Sequence, residues 1–235
     1  YSKKKVTLEL GGNAATIIDE DPPDLDFAAS RNAWGAFYQA GQSCISVQRM
    51  FVQEKIFDKF LDKFIDETKK LKLGDPMLED TDLGPVIDND SADRIMRWID
   101  EALEKGAELL TGGKRDGKLI EPTVLTGVPH NSKISSGEVF GPVVHVEPYK
   151  DFDEALDRVN DSRYGLQAGV FTKDMKKAFK AYHALHVGGV IVNDYPSFRV
   201  ENMPYGGVKD SGVGKEGLRY AIEEMTELKL MVVNL

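Results

Sequence analysis

Ala168-Gly169-Val170-Phe171, then Met175 to His183, then Val190-Ile191-Val192 form the stretch on which the fold turns. The outer pieces are short apolar runs of strand length, and the middle piece reads as a helix. Two strands joined through a crossover helix lie parallel in one sheet. The same alternation extends towards the amino terminus. Phe152, Ala155, Leu156 and Val159 mark a helix that follows a strand at Val143 to Val146. Further strands are expected around Glu108 to Leu110 and Thr123 to Leu125, after a helix marked by Ile95, Ile99 and Leu103 that ends near Gly106. The clearest helix puts Ile56, Phe57, Phe60, Leu61, Phe64, Ile65 and Leu71 on one face. Asp58, Lys59, Asp62, Lys63, Asp66 and Lys70 take the other, a solvated face. Arg49 to Val52 is a strand. Before it, acids and prolines at Asp21-Pro22-Pro23-Asp24 start a helix that runs to about Gln39 and stops at Gly41. Val6 to Leu10 and Ala15 to Ile18 complete the strands. At the other end, a Gly-rich loop leads into a helix from about Gly214, and Leu228 to Leu235 is an apolar, β-branched run. The fold class is α/β: a mostly parallel sheet flanked by helices. Sheets of this kind place ligands at loops beyond the carboxyl ends of their strands. Gly11-Gly12, Gly141-Pro142 and Gly206-Gly207, read as following strands, are therefore candidate site loops as well as candidate tight turns.

At 235 residues and 41% hydrophobic content the chain can bury a sizeable core, which excludes wholesale disorder and a disulfide-stapled miniprotein. Against 39 acidic residues stand 30 basic ones, a net charge of -9. That balance argues against nucleic acid and against an anionic membrane surface as partners. No apolar run reaches the roughly 18 residues of a membrane span. A single cysteine, Cys44, cannot form an internal disulfide, so the expected compartment is the cytoplasm. No metal site is expected. The chain opens Tyr1-Ser2-Lys3-Lys4-Lys5, without an initiator Met, and is expected to be a piece of something longer.

Three segments carry candidate chemistry. Cys44 follows a helix end and Gly41, so its thiol can face a pocket; a lone Cys is otherwise a small buried hydrophobe. A functional thiol needs help towards thiolate from a cation, a helix N-terminus or backbone donors. His130, His145, His183 and His186 are all distant in sequence, and nothing supports a Cys-His hydrolase. Glu9 lies in an apolar strand just before paired glycines. Buried there, its carboxylate would have a raised pKa suited to a general base. In an alternating strand it would instead face solvent beside Thr7, opposite Val6, Leu8 and Leu10. Glu138 and Phe140, ahead of Gly141-Pro142, could grip a ribose and a flat ring.

Taken together, Glu9-Leu10-Gly11-Gly12, Gly41-Gln42-Ser43-Cys44, Glu138-Val139-Phe140-Gly141-Pro142 and Pro204-Tyr205-Gly206-Gly207-Val208-Lys209-Asp210-Ser211-Gly212 closely resemble, in order and spacing, the aldehyde dehydrogenase superfamily. Gly74-Asp75-Pro76, Gly84-Pro85, Glu121-Pro122-Thr123 and Tyr164-Gly165-Leu166 fit the family's connecting segments. The resemblance implies that Cys44 attacks an aldehyde to give a thiohemiacetal. It implies that hydride passes to NAD or NADP, and that Glu9 activates the water that hydrolyses the thioester. By the same resemblance Glu138 binds the nicotinamide ribose, Phe140 packs beside the nicotinamide, and Leu10 and Gly11 border it. Ser43, where some phosphate-accepting members carry Arg, argues against a phosphorylated aldehyde. Arg199 lies on the loop that borders the substrate; it could hold an anionic group on a short aldehyde, or be a surface or subunit-contact Arg. Tyr195, Phe198 and Trp34 could line a pocket or belong to the core.

Family members run to about twice this length. The resemblance therefore divides the chain into residues 1–20, the last strands of the cofactor-binding domain; 21–215, the catalytic domain; and 216–235, a helix end and an oligomerisation strand. It implies a small-molecule aldehyde as substrate and a homo-oligomer, dimer or tetramer. The chain alone is expected to be inactive and to bind cofactor weakly. A CoA-acylating member and a non-catalytic self-associating domain are the alternatives, and Glu9 in the base position favours water over CoA.

Overall fold

Apolar side chains alternate between two faces of each central strand, and this alternation organises the chain. The structure is a computed structural model that describes residues 4–235. Residues 1–3, at the start of the expected 1–20 unit, lie outside the described residues. The main sheet contains β1 (Ala14–Ile18), β2 (Val47–Gln53), β3 (Glu108–Thr111), β4 (Thr123–Thr126), β5 (Val143–Tyr149), β6 (Gln167–Phe171) and β7 (Gly189–Val192). Its order is β7-β6-β1-β2-β5-β4-β3. Every pairing is parallel except β3 with β4. The helices are α1 (Leu25–Phe37), α2 (Phe57–Lys70), α3 (Asn89–Glu104), α4 (Phe152–Asn160), α5 (Met175–Ala184) and α6 (Leu218–Met225).

The expected βαβ unit is β6-α5-β7, with Ala168 beside Val190 and Val170 beside Val192. In β1, β2 and β6 every residue is buried, as a parallel sheet covered on both faces requires. Ile18, Met50 and Val52 face α1 and α2, where Phe37, Phe60 and Phe64 are fully buried. Ile17 and Phe51 face the other way, against Ala155, Leu156 and Val159 of α4 and Ala181 of α5. A third cluster packs α3 through Ile95 and Ile99 on Leu125, Val139 and Val143. On α2 the predicted stripe holds, with Phe60 and Phe64 at its centre and their rings stacked 5.9 Å apart.

The amino-terminal strand is shorter than expected. The strand expected at Val6 to Leu10 is reduced to Leu8–Glu9, paired antiparallel with Gly212–Val213, and its side chains are exposed. Leu228 to Leu235, expected to pair with a neighbouring subunit, pairs with no strand among the described residues of this chain, and its side chains are exposed. A strand cannot satisfy its backbone N–H and C=O groups alone.

The site loops also lie at the opposite end of the sheet from the one expected. Gly12, Cys44, Pro142 and Leu166 precede β1, β2, β5 and β6, at the amino ends of the strands. A polar cluster sits instead at the carboxyl ends of β1, β5 and β6. Asp19, just after β1, is almost wholly buried and accepts hydrogen bonds from Thr172 Oγ1 at 2.9 Å and Tyr149 Oη at 3.2 Å. Lys177 of α5 reaches both its oxygens at 2.8 and 2.9 Å. Burial pushes the Asp19 carboxyl up, but the Lys177 and Thr172 hydrogen bonds outweigh it and hold the group below its ordinary value. Among the described residues no helix is long and apolar enough to cross a membrane.

Candidate active site

Cys44 reaches the site through an unusual turn. α1 ends at Phe37, and Gln39, Ala40 and Gly41 all take positive φ (52°, 54° and 69°), a reversal that L residues adopt only under constraint. Gly41 is needed for a second reason: a Cβ on it would lie 2.1 Å from the Gly141 carbonyl oxygen. The turn before the cysteine and the Gly-Pro segment after Phe140 thus meet backbone to backbone. Gly12 plays the same part on the other side, where an added Cβ would come 2.1 Å from the Cys44 carbonyl oxygen.

These close approaches bring Glu138 to the same place. Its Oε1 accepts a hydrogen bond from the Gly12 N–H at 2.9 Å. Two buried amides hold its loop. Asn13 Nδ2 donates to the Ser135 and Gly137 carbonyls, both at 2.9 Å. Gln48 Nε2 donates to the Ile134 and Gly137 carbonyls, while its Oε1 accepts from the Val139 N–H at 2.9 Å. Burial pushes the Glu138 carboxyl up, against the Gly12 hydrogen bond and the charge of Arg94. Phe140 follows at φ 49°, a left-handed conformation, and its ring is 41% exposed. A carboxylate with one oxygen uncommitted beside an open aromatic ring fits the ribose and flat base of a nicotinamide riboside.

Cys44 is half-buried, packed with Ile45, Leu166 and Tyr205. Its Sγ lies 3.0 Å from the Tyr205 hydroxyl. Burial pushes the thiol up; the Tyr205 hydrogen bond pulls it down, and the charges of Glu9 and Glu138 push it up again. Glu9 and Glu138 are thus both within electrostatic reach of the sulfur. Glu9 stands on the Leu8–Glu9 strand, held by a hydrogen bond from the Leu10 N–H to the Ser211 carbonyl at 2.9 Å. Partial burial of its carboxyl, then the charge and hydrogen bond of Glu216, raise its pKa, and Arg199 opposes them. The Glu9 carboxyl is therefore pushed up although the residue itself is exposed.

Arg199 pairs with Glu216 at 3.1 Å and lies over the Tyr205 ring, 4.3 Å from its centroid. A cavity of about 760 Å³ opens on this side, lined by Arg199, Glu216, Lys215, Thr7 and Lys5. The Ser43 hydroxyl accepts a hydrogen bond from Tyr38. Leu10 is exposed, and Gly11 is half-buried beside Glu138. Trp34 and Phe198 are exposed rather than core, while Tyr195 packs against Gly35 and under the Arg31 guanidinium. Sequence reading named no role for Tyr205, Glu216, Asn13 or Gln48. The tyrosine inside Pro204-Tyr205-Gly206-Gly207 was the one available signal, a hydroxyl within a segment already singled out.

Residues 2–231 match the aldehyde dehydrogenase family. The chain belongs to that family. Among similar proteins, a 3-sulfolactaldehyde dehydrogenase from Priestia aryabhattai is 52% identical over 232 residues, covering 99% of this chain and 48% of that protein. Aldehyde dehydrogenase 21 from Physcomitrella patens, solved with its reaction product succinate, superposes with a TM-score of 0.94 at 51% identity, over 96% of this chain and 47% of that one. A glyceraldehyde-3-phosphate dehydrogenase from Methanocaldococcus jannaschii, solved with NADP, gives 0.93 at 42% identity, over 96% and 49%. The chain spans about half the length of the relatives it matches. As an aldehyde dehydrogenase domain it shares their α/β fold with a mostly parallel sheet.

Proposed function

We propose that the protein carrying this chain oxidises a small, anionic aldehyde to a carboxylic acid, with NAD or NADP as oxidant. The carrying observation is the convergence of Cys44, Glu9 and Glu138 at the amino edge of one sheet, with both carboxylates in electrostatic reach of the thiol. When bound, the dinucleotide supplies the hydride acceptor. Glu138, through the carboxylate oxygen that Gly12 leaves free, and Phe140 would hold its nicotinamide riboside, and Leu10 and Gly11 would border it. The Cys44 thiolate adds to the aldehyde carbon, forming a C–S bond and leaving the electron pair on the carbonyl oxygen. Loss of hydride from that thiohemiacetal leaves a thioester on Cys44. Glu9 then takes a proton from water, whose oxygen attacks the thioester; the C–S bond breaks and releases the acid and the Cys44 thiolate. The raised pKa of Glu9 brings it nearer to the working pH of a general base.

Arg199 beside Tyr205 supports an anionic substrate, because its guanidinium can exchange Glu216 for a carboxylate or sulfonate. Ser43, committed to Tyr38, borders the same place and offers no charge for a phosphate. We assign residues 1–20 to the end of a cofactor-binding domain, 21–215 to the catalytic domain and 216–235 to self-association. The exposed apolar run Leu228 to Leu235 supports a homo-oligomer.

The test is a single series on the protein that carries this chain. Cys44→Ala abolishes NAD(P)H production, and retained turnover refutes the nucleophile. Glu9→Gln keeps a burst of NAD(P)H and slows steady turnover, while loss of the burst itself would remove Glu9 from the hydrolysis step. Arg199→Met lowers kcat/KM for succinic semialdehyde by about 10- to 100-fold, the worth of a hydrogen bond to a charged group, and leaves butanal unchanged. Equal effects on the two aldehydes would refute the anion contact.

A further inference from the structure

We propose that Tyr205 is a catalytic residue: its phenol hydroxyl donates a hydrogen bond to the Cys44 thiolate and sets the nucleophile's reactivity. The inference rests on the reading of Cys44 as nucleophile. Tyr205 is 3% exposed, and its ring packs against Ile45, Leu166 and Cys44 itself. The hydroxyl's hydrogen-bond partner is the sulfur, at 3.0 Å. The backbone fixes the ring in place. Tyr205 N–H donates to the Glu216 carbonyl at 3.1 Å, and Glu216 N–H donates back at 2.6 Å. The opposite face of the ring carries the Arg199 guanidinium, held by Glu216. A buried phenol whose hydroxyl is turned to a thiol can stay protonated and donate to the sulfur when the thiol ionises.

The surrounding charges make this donor matter. Glu9 and Glu138 both disfavour the thiolate, burial disfavours it further, and Tyr38 lies within electrostatic range on the α1 side. Against them the Tyr205 hydroxyl is the side-chain donor that favours the charged sulfur. Burial and the neighbouring Cys44 push the phenol well above its usual range, with Arg199 opposing, which favours its protonated, donating form. No proton leaves Tyr205 in this role; it shares its hydrogen with the sulfur. Phenylalanine fills the same packing space but cannot do this.

The experiment is the pH profile of Cys44 alkylation by iodoacetamide, read by mass spectrometry in the protein that carries this chain, and it needs neither cofactor nor turnover. Tyr205→Phe moves the alkylation midpoint upward by about one to two pH units, the loss of one hydrogen bond to a charged group, with a matching 10- to 100-fold slower reaction below the midpoint. Thiolate absorbance at 240 nm reports the same shift directly. A profile that superimposes on the parent's overturns the proposal. Should Tyr205→Phe melt early, 3-fluorotyrosine at position 205 keeps the shape and strengthens the donor, and moves the midpoint downward; an unmoved midpoint there also overturns it. A packing role would change melting temperature and leave the midpoint in place. Failure of the dehydrogenase reading would show elsewhere, as retained turnover in Cys44→Ala.

Discussion

Gly12→Ala adds a single methyl group, and the structure says where it goes. The new Cβ would stand 2.1 Å from the Cys44 carbonyl oxygen, when contacts below 3.0 Å are essentially not tolerated. One of the two backbones must move by roughly 0.9 Å, the difference between those distances. Neither is free to do so. Gly12 runs directly into β1 and Cys44 into β2, and these strands pair from Ala14 and Val47 onward in a fully buried sheet. Gly12 N–H is also committed to Glu138 Oε1 at 2.9 Å. Forced overpacking costs about 1–3 kcal/mol. Loss of a hydrogen bond to a partly buried carboxylate adds about 1.5–3 kcal/mol if the shift breaks it. For a domain of this size each kcal/mol moves Tm by about 2–4 °C. The variant is expected to melt about 5–10 °C lower on the two lower-bound terms together. Displacing the nucleophile by about an ångström lowers turnover in the protein that carries the chain by about 100-fold. Circular dichroism melting gives the first number and NAD(P)H production the second. A variant with the parent's Tm and activity would show that the two backbones do not touch as described, and the account of the site loops would fall with it.

Other variants probe the rest of the framework. Phe64→Ala removes a fully buried ring stacked between Phe37 and Phe60 and should cost about 3–5 kcal/mol in urea unfolding; a loss below about 1 kcal/mol would mean that α2 is not packed as described. Lys177→Met strands the Asp19 carboxylate and should cost about 3 kcal/mol at pH 7, the low end for a broken buried pair because the lysine end is partly exposed. In the parent, the lowered Asp19 pKa contributes stability that is present above the unfolded value near 4 and is lost as pH falls through the folded one. In the variant Asp19 protonates readily, so the deficit should narrow in acid; a deficit that widens there would refute the assignment. Glu216→Gln removes the neighbouring charge that raises Glu9, so the acid limb of the kcat/KM profile should move to lower pH, and an unmoved limb would separate Glu216 from the base.

The sequence by itself determined most of the elements and the family to which the chain belongs. Strand and helix periods are local properties of the backbone, so β6-α5-β7 and the α2 stripe could be read without knowing what lies opposite them. Cys44, Glu9 and Glu138 stand out as candidates because each lies in a short segment that also carries glycines, Gly41, Gly11-Gly12 and Gly137. The tertiary structure alone decided which end of the sheet bears the site. That depends on where separated loops cross, and here Asp19 and Lys177 pair at the carboxyl ends. It also decided the partners of the nucleophile. Tyr205 is 161 residues from Cys44, and Asn13 and Gln48 grip a loop near Glu138 from comparable distances. No periodicity spans such separations. The close packing of the core brings those side chains within hydrogen-bond reach, because a buried sheet leaves its loops little freedom to lie elsewhere.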